Sequence, residues 1–123
     1  MNIHKSSEDY LEAMLMLKKK HGYIRSIDVA TLLKVKKPSV SYATKRLREA
    51  GYITMDEENY ITLTSLGLEI AMNMYERHTL LTEFFINLGV DEETAQEDAC
   101  KVEHDISEKT FKAIREHVSN KNS

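Results

Sequence analysis

Residues 100–107 read CKVEHDIS and offer a thiol, a carboxylate and an imidazole within five positions. On a helix, side chains three and four positions apart share one face, so Cys100, Glu103 and His104 can point at a common centre. Cys100 is the only cysteine of the chain, which excludes an internal disulfide and leaves its thiol available for a metal. The stretch is therefore either part of a metal site or an ordinary amphipathic helix.

Further candidate ligands occur in two other predicted helices. Asp9 and Glu12 have the spacing that places both carboxylates on one face of the first helix, and His78 adds an imidazole in the middle of the long one. Carboxylate, imidazole and thiolate ligands together suit a first-row divalent ion. Each residue taken separately also has an ordinary interpretation, because single cysteines are often buried apolar residues and paired acidic residues are usually solvated.

The elements that must position these side chains are six helices and one β-hairpin. Apolar residues recur at helical spacing over about residues 6–20, 26–33, 38–50, 65–88, 91–104 and 107–117. On the third of these helices the pattern predicts a buried face of Val40, Ala43, Leu47 and Ala50. Two β-branched and aromatic runs, YITM and YITLT, flank the polar turn DEEN and predict the hairpin.

This order of elements predicts a fold that is mainly α-helical with a small β-hairpin. A helix, a short helix, a turn, a helix and a two-stranded hairpin form a winged helix-turn-helix, which we expect over residues 1–64. Residues 65–123 are expected to form a second, all-α domain. The first domain would contact a nucleic acid, and the second contains most of the candidate metal ligands.

The distribution of charge along the chain also indicates nucleic-acid binding. The formal net charge is −3, but residues 18–54 contain ten basic residues against two acidic ones, a local charge of +8. The remainder of the chain has a charge of −11. A basic segment that coincides with a helix-turn-helix is the pattern expected of a protein that binds DNA phosphates.

The second helix of a winged helix-turn-helix enters the major groove, and its early side chains reach the base edges. Small hydroxyls let this helix approach closely, and basic side chains further along can pair with phosphates. The predicted DNA-binding residues are Arg25, Ser26, Lys36, Lys37, Pro38, Ser39, Ser41, Tyr42, Lys45 and Arg46. The acidic tip of the hairpin, at Asp56, Glu57 and Glu58, is predicted to be a solvated turn that stays clear of the DNA backbone.

Membrane proteins and enzymes find no support in the sequence. No run approaches the roughly 18 to 20 apolar residues of a membrane span, and the N-terminus lacks the apolar segment of a signal peptide, so we expect a cytoplasmic protein. A ferritin-like di-iron site requires Glu-x-x-His on two helices, whereas Glu103 and His104 are adjacent. There is also no Gly-rich phosphate loop and no nucleophile spaced with a base, so we predict that the chain is not an enzyme.

Four segments resemble the metal-dependent transcriptional repressors of the diphtheria toxin repressor and manganese transport regulator family. They are SEDYLEAMLML, PSVSYATKRL with the following GYI, ERHTLLTEFF, and GVDEETAQEDACKVEHDIS, and the resemblance extends from residue 6 to about residue 118. It implies a repressor of metal homeostasis genes that is active when a divalent metal is bound. The alternative is a winged-helix regulator that responds to a small organic ligand, without a metal site and with Cys100 in its core.

The resemblance also implies the ligands and the metal. Carried over by position, the family's ligands are Asp9, Glu12, His78, Cys100, Glu103 and His104. The manganese-responsive branch is similar in having Asp at position 9 and Glu at position 12, whereas the iron-responsive branch has the cysteine found at position 100. Hard carboxylates favour Mn(II) and the softer thiolate favours Fe(II), Co(II) or Zn(II). The expected cofactor is Fe(II) or Mn(II), with Zn(II) or Co(II) able to bind in vitro.

Members of this family are homodimers on double-stranded DNA, which implies a palindromic operator. Residues 65–123 are then expected to be a metal-binding and dimerisation domain. The expected interface residues, whose alternative role is the core of the chain itself, are Leu80, Leu81, Phe84, Phe85, Ile106, Phe111 and Ile114. The family's SH3-like domain has no counterpart before Ser123, so we expect a short form.

Overall fold

The computed structural model describes residues 5–122, and the side chains of residues 5–120. The elements are α1 (Lys5–His21), α2 (Ser26–Leu33), α3 (Lys37–Glu49), β1 (Ile53–Met55), β2 (Ile61–Leu63), α4 (Ser65–Asn87), α5 (Glu92–Val102) and α6 (Glu108–Asn122). The chain divides into two compact units, of which the first ends at Met72 and the second begins at Asn73. The outermost residues of the two predicted domains, 1–4 and 123, lie outside the described residues.

The core of the first unit is built mainly on α1. Tyr10, Leu11, Met14, Leu15 and Leu17 recur at helical spacing and are all buried, because this spacing places them on one side of the helix. They form one apolar cluster with eight other residues of the unit, Ile24, Val29, Val40, Leu47, Tyr52, Ile53, Ile61 and Ala71. Burial of a large apolar side chain contributes about 1.5–3 kcal/mol, so this cluster is the main stabilising element of the unit.

Strands β1 and β2 form the predicted antiparallel hairpin. Ile53 and Ile61 are buried, whereas Thr54 and Thr62, which lie opposite each other, are exposed. This alternation is expected of a strand pair with one face on the core and one in water. The N–H of Ile61 also donates to the carbonyl oxygen of Ile24, 2.9 Å away, which joins the hairpin to the segment before α2.

The first turn of α4 lies against the backbone before β1, and only glycine fits at the contact. A Cβ atom on Gly67 would lie 2.0 Å from the carbonyl oxygen of Tyr52. Hydrogen bonds fix this approach: Oγ1 of Thr64 accepts from the N–H of Gly67 at 3.2 Å and donates to the carbonyl oxygen of Gly51 at 2.7 Å. Gly51 itself has φ +85°, the left-handed conformation that ends α3 and turns the chain towards β1.

The second unit contains the rest of α4 together with α5 and α6. Its buried apolar residues are Met74, Leu81, Ala95, Ala99, Phe111 and Val118. Asp91 caps α5, because its carboxylate accepts a hydrogen bond at 3.0 Å from the N–H of Thr94, a donor that has no helical partner at a helix N-terminus. This hydrogen bond lowers the pKa of the Asp91 carboxyl group below its usual value.

The predicted fold class is confirmed: the chain is mainly helical, with a winged helix-turn-helix and its hairpin followed by further helices. Two helix ends differ from the prediction. α5 ends at Val102, so Glu103 and His104 lie at its C-cap and in the following turn rather than within the helix. α6 continues to Asn122, beyond the predicted end near residue 117, because polar residues are compatible with a solvated helix.

One predicted core position of α3 was also wrong. Ala50 is exposed because it is the C-cap residue of this helix. Thr44 is buried, and its hydroxyl donates to the carbonyl oxygen of Ser41 at 3.1 Å, which satisfies the polar group inside. Among the helices that the structure describes, none is long and apolar enough to cross a membrane.

Candidate metal centre and DNA-binding surface

Four of the six predicted metal ligands lie in the second unit. His78 is on α4, and the C-terminal end of α5 and the turn after it contain Cys100, Glu103 and His104. Nδ1 of His78 lies 3.1 Å from Oε2 of Glu103, and Nε2 of His104 lies 3.5 Å from Oε1 of the same carboxylate. Sγ of Cys100 lies within 4.8 Å of a carboxylate oxygen of Glu103. Glu103 is therefore the common neighbour of the other three.

The carboxylate of Glu103 is in a position that favours a bound cation. Its side chain is 0% exposed, and Oε1 forms no hydrogen bond with any residue that the structure describes. The distance of 3.5 Å between Oε1 and Nε2 of His104 is too long for a hydrogen bond. Because a buried carboxylate is costly unless it is paired or coordinates a metal, and because imidazole and thiolate are also metal ligands, the residues present fit a divalent metal ion.

The other candidate ligands differ in exposure. Asp9 and Glu12 lie on α1 in the first unit, on one face of the helix. Glu12 is only 7% exposed, which is unusual for a carboxylate and requires a specific partner for its charge. Cys100 is exposed and is not in a disulfide, so it is not the core residue that the alternative of a ligand-responsive regulator requires.

Arg77 belongs to this centre although the pattern of metal ligands does not point to it. Its side chain is 9% exposed, and Nη1 donates to the carbonyl oxygen of Glu103 at 3.0 Å. The sequence does contain a signal for this residue in its helical spacing. Position 77 comes three residues after Met74 and four before Leu81, both buried, so an arginine occupies the buried stripe of α4.

The predicted DNA-binding residues form an exposed surface in the first unit. Val40 and Leu47 are buried on the core side of α3. The exposed predicted residues are Arg25, Lys36, Lys37, Pro38, Ser39, Ser41, Tyr42, Lys45 and Arg46, and Ser26 is partly exposed. Lys36 and Lys37 stand at the start of α3, so two positive side chains accompany the positive end of the helix dipole, an arrangement that favours a phosphate group.

Tyr42 and Arg46 are paired on the exposed side of α3, one turn apart. Nη1 of Arg46 donates to the hydroxyl of Tyr42 at 2.9 Å, and the guanidinium lies 5.6 Å from the centroid of the tyrosine ring. These contacts raise the pKa of Arg46 above its usual value. The pair limits the orientations of the guanidinium while leaving other N–H groups for a base edge or a phosphate.

The hairpin contacts a second cation of this surface, Arg25, which is the N-cap residue of α2. The guanidinium of Arg25 lies 5.1 Å from the centroid of the Tyr60 ring. At the tip, Oδ1 of Asp56 accepts hydrogen bonds from the N–H groups of Glu58 and Tyr60, both at 2.9 Å, and Asn59 has φ +68°. Asp56 therefore stabilises the turn itself, which accounts for one acidic residue of the predicted solvated tip.

The predicted dimer-interface residues fall into two groups. Leu81 and Phe111 are fully buried within the chain and contribute to its core, the alternative role stated for them. The partly exposed residues are Leu80, Phe84, Phe85, Ile106 and Ile114. Ile86 and Leu88, at the end of α4 and just after it, are also exposed apolar residues. Single exposed apolar residues are common, but several along one helix are typical of a contact surface.

A winged helix-turn-helix with a basic, exposed third helix, followed by a helical unit that contains candidate metal ligands, is the arrangement of a metal-dependent DNA-binding regulator. The model of the iron-dependent repressor N-terminal DNA-binding domain matches residues 2–60. The model of the metal binding and dimerisation domain of the same repressors matches residues 64–122. The chain belongs to the iron-dependent repressor family, as the resemblance predicted, and members of this family are transcriptional regulators rather than enzymes.

Individual relatives agree with this assignment. An uncharacterised HTH-type transcriptional regulator of Methanocaldococcus jannaschii is 36% identical over 112 residues, which cover 89% of this chain and 90% of that protein. The transcriptional regulator MntR of Escherichia coli O157:H7 is 37% identical over 108 residues, 88% of this chain and 70% of that protein. The structure of the manganese regulator SloR matches with a TM-score of 0.81 and 26% identity, over 97% of this chain and 55% of that one. This chain thus spans about half the length of that solved regulator.

Proposed function

We propose that this protein is a transcriptional repressor that binds its operator when Mn(II) or Fe(II) is bound, and that it controls genes of metal homeostasis. The observation that supports this most directly is the buried carboxylate of Glu103 beside His78, His104 and Cys100. The same chain presents a basic recognition helix. A protein that combines these features can make DNA binding respond to a cation. With chromosomal DNA as its target, the protein acts in the cytoplasm.

The proposed metal ligands are the six residues that the family resemblance implies. They are Asp9, Glu12, His78, Cys100, Glu103 and His104. A divalent ion supplies positive charge to the two buried carboxylates of this set, Glu12 and Glu103. Ligands of this kind bind metal in their deprotonated form, so metal affinity increases as the pH rises.

Cys100 distinguishes the two candidate metals. Carboxylate oxygens suit Mn(II), whereas a thiolate favours Fe(II), Co(II) or Zn(II). The match to the iron-dependent repressor family supports Fe(II), and the likeness to a manganese regulator supports Mn(II). In a Cys100→Ser variant the affinity for Fe(II), Co(II) and Zn(II) decreases more than the affinity for Mn(II).

The proposed active species is a homodimer on a palindromic operator. Residues 65–123 form the proposed metal-binding and dimerisation domain, and residues 1–64 the DNA-binding domain. The proposed contact residues between subunits are Leu80, Phe84, Phe85, Ile106 and Ile114, supported from the core by Leu81 and Phe111. Two copies of α3 would then reach half-sites one DNA turn apart, about 34 Å.

Metal and DNA binding are linked in this proposal. Coordination by ligands on different helices orders those helices before DNA binds, so DNA binding no longer has to overcome the entropy lost in ordering them. The coupling is reciprocal: if metal strengthens DNA binding by some factor, DNA strengthens metal binding by the same factor. DNA binding is therefore weak in the metal-free protein.

Fluorescence anisotropy of a labelled duplex tests the proposal. The duplex comes from the region upstream of the protein's own coding sequence, and the protein is titrated anaerobically with a chelator present and then with Mn(II), Fe(II) and Zn(II) separately. We expect at least one ion to strengthen binding by about tenfold or more, which corresponds to about 1.4 kcal/mol of coupling. A scrambled duplex serves as the control. If the affinity for the duplex in the presence of the chelator equals the affinity with each of the three ions, metal-dependent repression is contradicted.

A further inference from the structure

Three consecutive residues of α4 contact three different parts of the second unit. Glu76 forms an ion pair with Arg115 of α6. Arg77 reaches the turn between α5 and α6, and His78 contacts the side chain of Glu103. Adjacent helical residues point in directions about 100° apart, so one helical turn can reach all three parts.

The guanidinium of Arg77 binds the end of α5. Nη1 donates to the carbonyl oxygens of Glu103 at 3.0 Å and Ile106 at 2.9 Å. Glu103 is the C-cap residue of α5, and carbonyl groups at this end of a helix have no partner within the helix. A positively charged donor at a helix C-terminus also interacts favourably with the helix dipole. Arg77 therefore fixes the backbone from which Glu103 and His104 extend.

Glu103 is thus held at both ends by neighbouring residues of α4. Arg77 binds its main chain, and His78 lies against its carboxylate. A displacement of the Glu103 backbone changes the distance between Oε2 and Nδ1 of His78, now 3.1 Å, and shifts the adjacent His104 as well. The orientation of two proposed ligands depends on the position of one guanidinium.

The same guanidinium is bound to α6. It lies 5.2 Å from the centroid of the buried Phe111 ring, and Nη2 donates to Oε2 of Glu108 at 3.0 Å. The Glu108 side chain is 68% exposed, so this ion pair contributes little by itself. Nε of Arg77 is buried and has no hydrogen-bond partner among the residues described. A cation buried at this cost stays in place mainly through its carbonyl partners and the ring.

We propose that Arg77 is a positioning residue of the metal centre, which holds the backbone of Glu103 and connects it to α6. This inference rests on the proposed metal-dependent function. Residues that orient metal ligands without touching the metal typically change affinity by about 10- to 100-fold when they are replaced. By the same contacts, metal bound at Glu103 makes the turn before α6 more rigid.

The test uses the full chain and the variant Arg77→Lys, which keeps the charge but lacks the planar guanidinium that donates to both carbonyl oxygens and to Glu108 at once. Mn(II) affinity is measured by calorimetry, and the visible spectrum of the Co(II) complex reports the arrangement of the ligands. We expect R77K to bind Mn(II) about 10- to 100-fold more weakly and to have an altered Co(II) spectrum. The matched control Glu108→Gln, which removes only the negative charge of the exposed partner of Arg77, retains the wild-type affinity and spectrum.

Two further results separate the inference from the function on which it rests. If R77K binds Mn(II) as wild type does, and only its melting temperature decreases equally with and without metal, Arg77 has a structural role alone and the inference is wrong. If the wild-type protein binds neither Mn(II) nor Co(II), the proposed function fails and the inference fails with it.

Hydrogen exchange on the wild-type protein provides a test that does not require R77K to fold. Addition of Mn(II) is expected to slow exchange of the backbone amides of residues 105–111, the segment that runs from the turn bound by Arg77 to Phe111. Unchanged exchange in this segment, in protein that calorimetry shows to be saturated with Mn(II), overturns the inference.

Discussion

Nδ1 of His78 and Oε2 of Glu103 are 3.1 Å apart, although 25 positions separate the two residues in the sequence. The contact joins the middle of α4 to the end of α5. Because the other oxygen of this carboxylate is buried and has no hydrogen bond to the described residues, the pair does not satisfy the charge of Glu103. The relationship between these two residues therefore gives a direct way to test the metal centre.

Replacement of Glu103 by Gln removes the buried charge and preserves the shape of the side chain. With free Mn(II) at 100 times its Kd, the free energy of unfolding of the wild-type protein should increase by about 2.7 kcal/mol. We expect E103Q to lose most of this increase, because it lacks a proposed ligand. In the absence of metal, E103Q should be at least as stable as wild type, since the charge on a buried carboxylate with one unbonded oxygen has been removed. Thermal unfolding with and without Mn(II) measures both effects.

Glu97→Gln is the matched control for this prediction. Glu97 is an exposed carboxylate of α5, the same helix that leads to Glu103. The charge change is identical, but no proposed ligand is affected. E97Q should therefore keep the full stabilisation by Mn(II). Equal stabilisation of E103Q and E97Q excludes Glu103 as a ligand.

Substitution of Arg46 tests the exposed side of α3. We expect Arg46→Ala to weaken specific DNA binding by about tenfold or more, because the side chain supplies charged donors to a base edge or a phosphate. Tyr42→Phe removes the hydroxyl that accepts from Arg46 and should cause a smaller loss, since the guanidinium remains over the ring. Anisotropy with metal-loaded protein measures the affinities. Lys112→Ala, an equal charge change at an exposed position of α6, is the control, and similar affinities of R46A and K112A contradict the prediction.

The helix-turn-helix was predictable because its signals are local. Apolar residues at helical spacing define α1 and α3, and Gly51 marks the end of α3, so neighbouring residues alone contain the information. The hairpin is equally local, since two short strands flank one polar turn. This approach reaches its limit at the end of α3. Helical spacing predicted a buried Ala50, but Ala50 is the C-cap residue and is exposed, whereas Thr44 is buried.

The candidate site was predictable only in part. Helical spacing brings together Cys100, Glu103 and His104, although the helix itself ends at Val102. The role of Arg77 depends on the turn between α5 and α6, because its guanidinium binds the carbonyl oxygens of Glu103 and Ile106 in that turn. Spacing along a single helix does not contain that information, because the partners are main-chain atoms of a distant turn. A charged residue on a buried stripe is the only trace of it in the sequence.

The two groups of apolar residues around α4 predict different effects of substitution. Leu81 is buried within the chain, and we expect Leu81→Ala to lower the free energy of unfolding by about 2–5 kcal/mol. Leu80 is partly exposed, so Leu80→Lys should remain folded but shift the protein from dimer to monomer. Sedimentation velocity gives the mass of each variant, and thermal unfolding gives its stability. A folded L80K protein that stays dimeric excludes Leu80 from the interface.

At Gly67 we expect substitution by alanine to destabilise the protein, the reverse of its usual effect within a helix. Glycine to alanine within a helix normally stabilises a protein by about 0.5–1 kcal/mol. At position 67 a Cβ atom would clash with the carbonyl oxygen of Tyr52, which is main chain and cannot rotate away. We therefore expect Gly67→Ala to lower the free energy of unfolding by about 1–3 kcal/mol, as measured by urea denaturation. Asn73→Ala, at an exposed position of α4, should show no such loss, and a stabilised G67A contradicts the close approach.

Asp91 predicts a dependence of stability on pH at the start of α5. The hydrogen bond from the N–H of Thr94 favours the carboxylate and lowers the pKa of Asp91, so folding is stabilised above the pKa of the unfolded state and this contribution disappears as the pH falls through the folded-state value. Asp91→Ala should therefore melt below wild type at neutral pH, and the difference should shrink below about pH 4. Asp91→Asn keeps a capping oxygen without a titrating group, so its melting temperature should stay above that of D91A throughout this range. Melting curves of the three metal-free proteins between pH 7 and pH 3 provide the measurement. A constant difference between wild type and D91A across this range contradicts a role for the ionised carboxylate, because an uncharged cap would act equally at every pH.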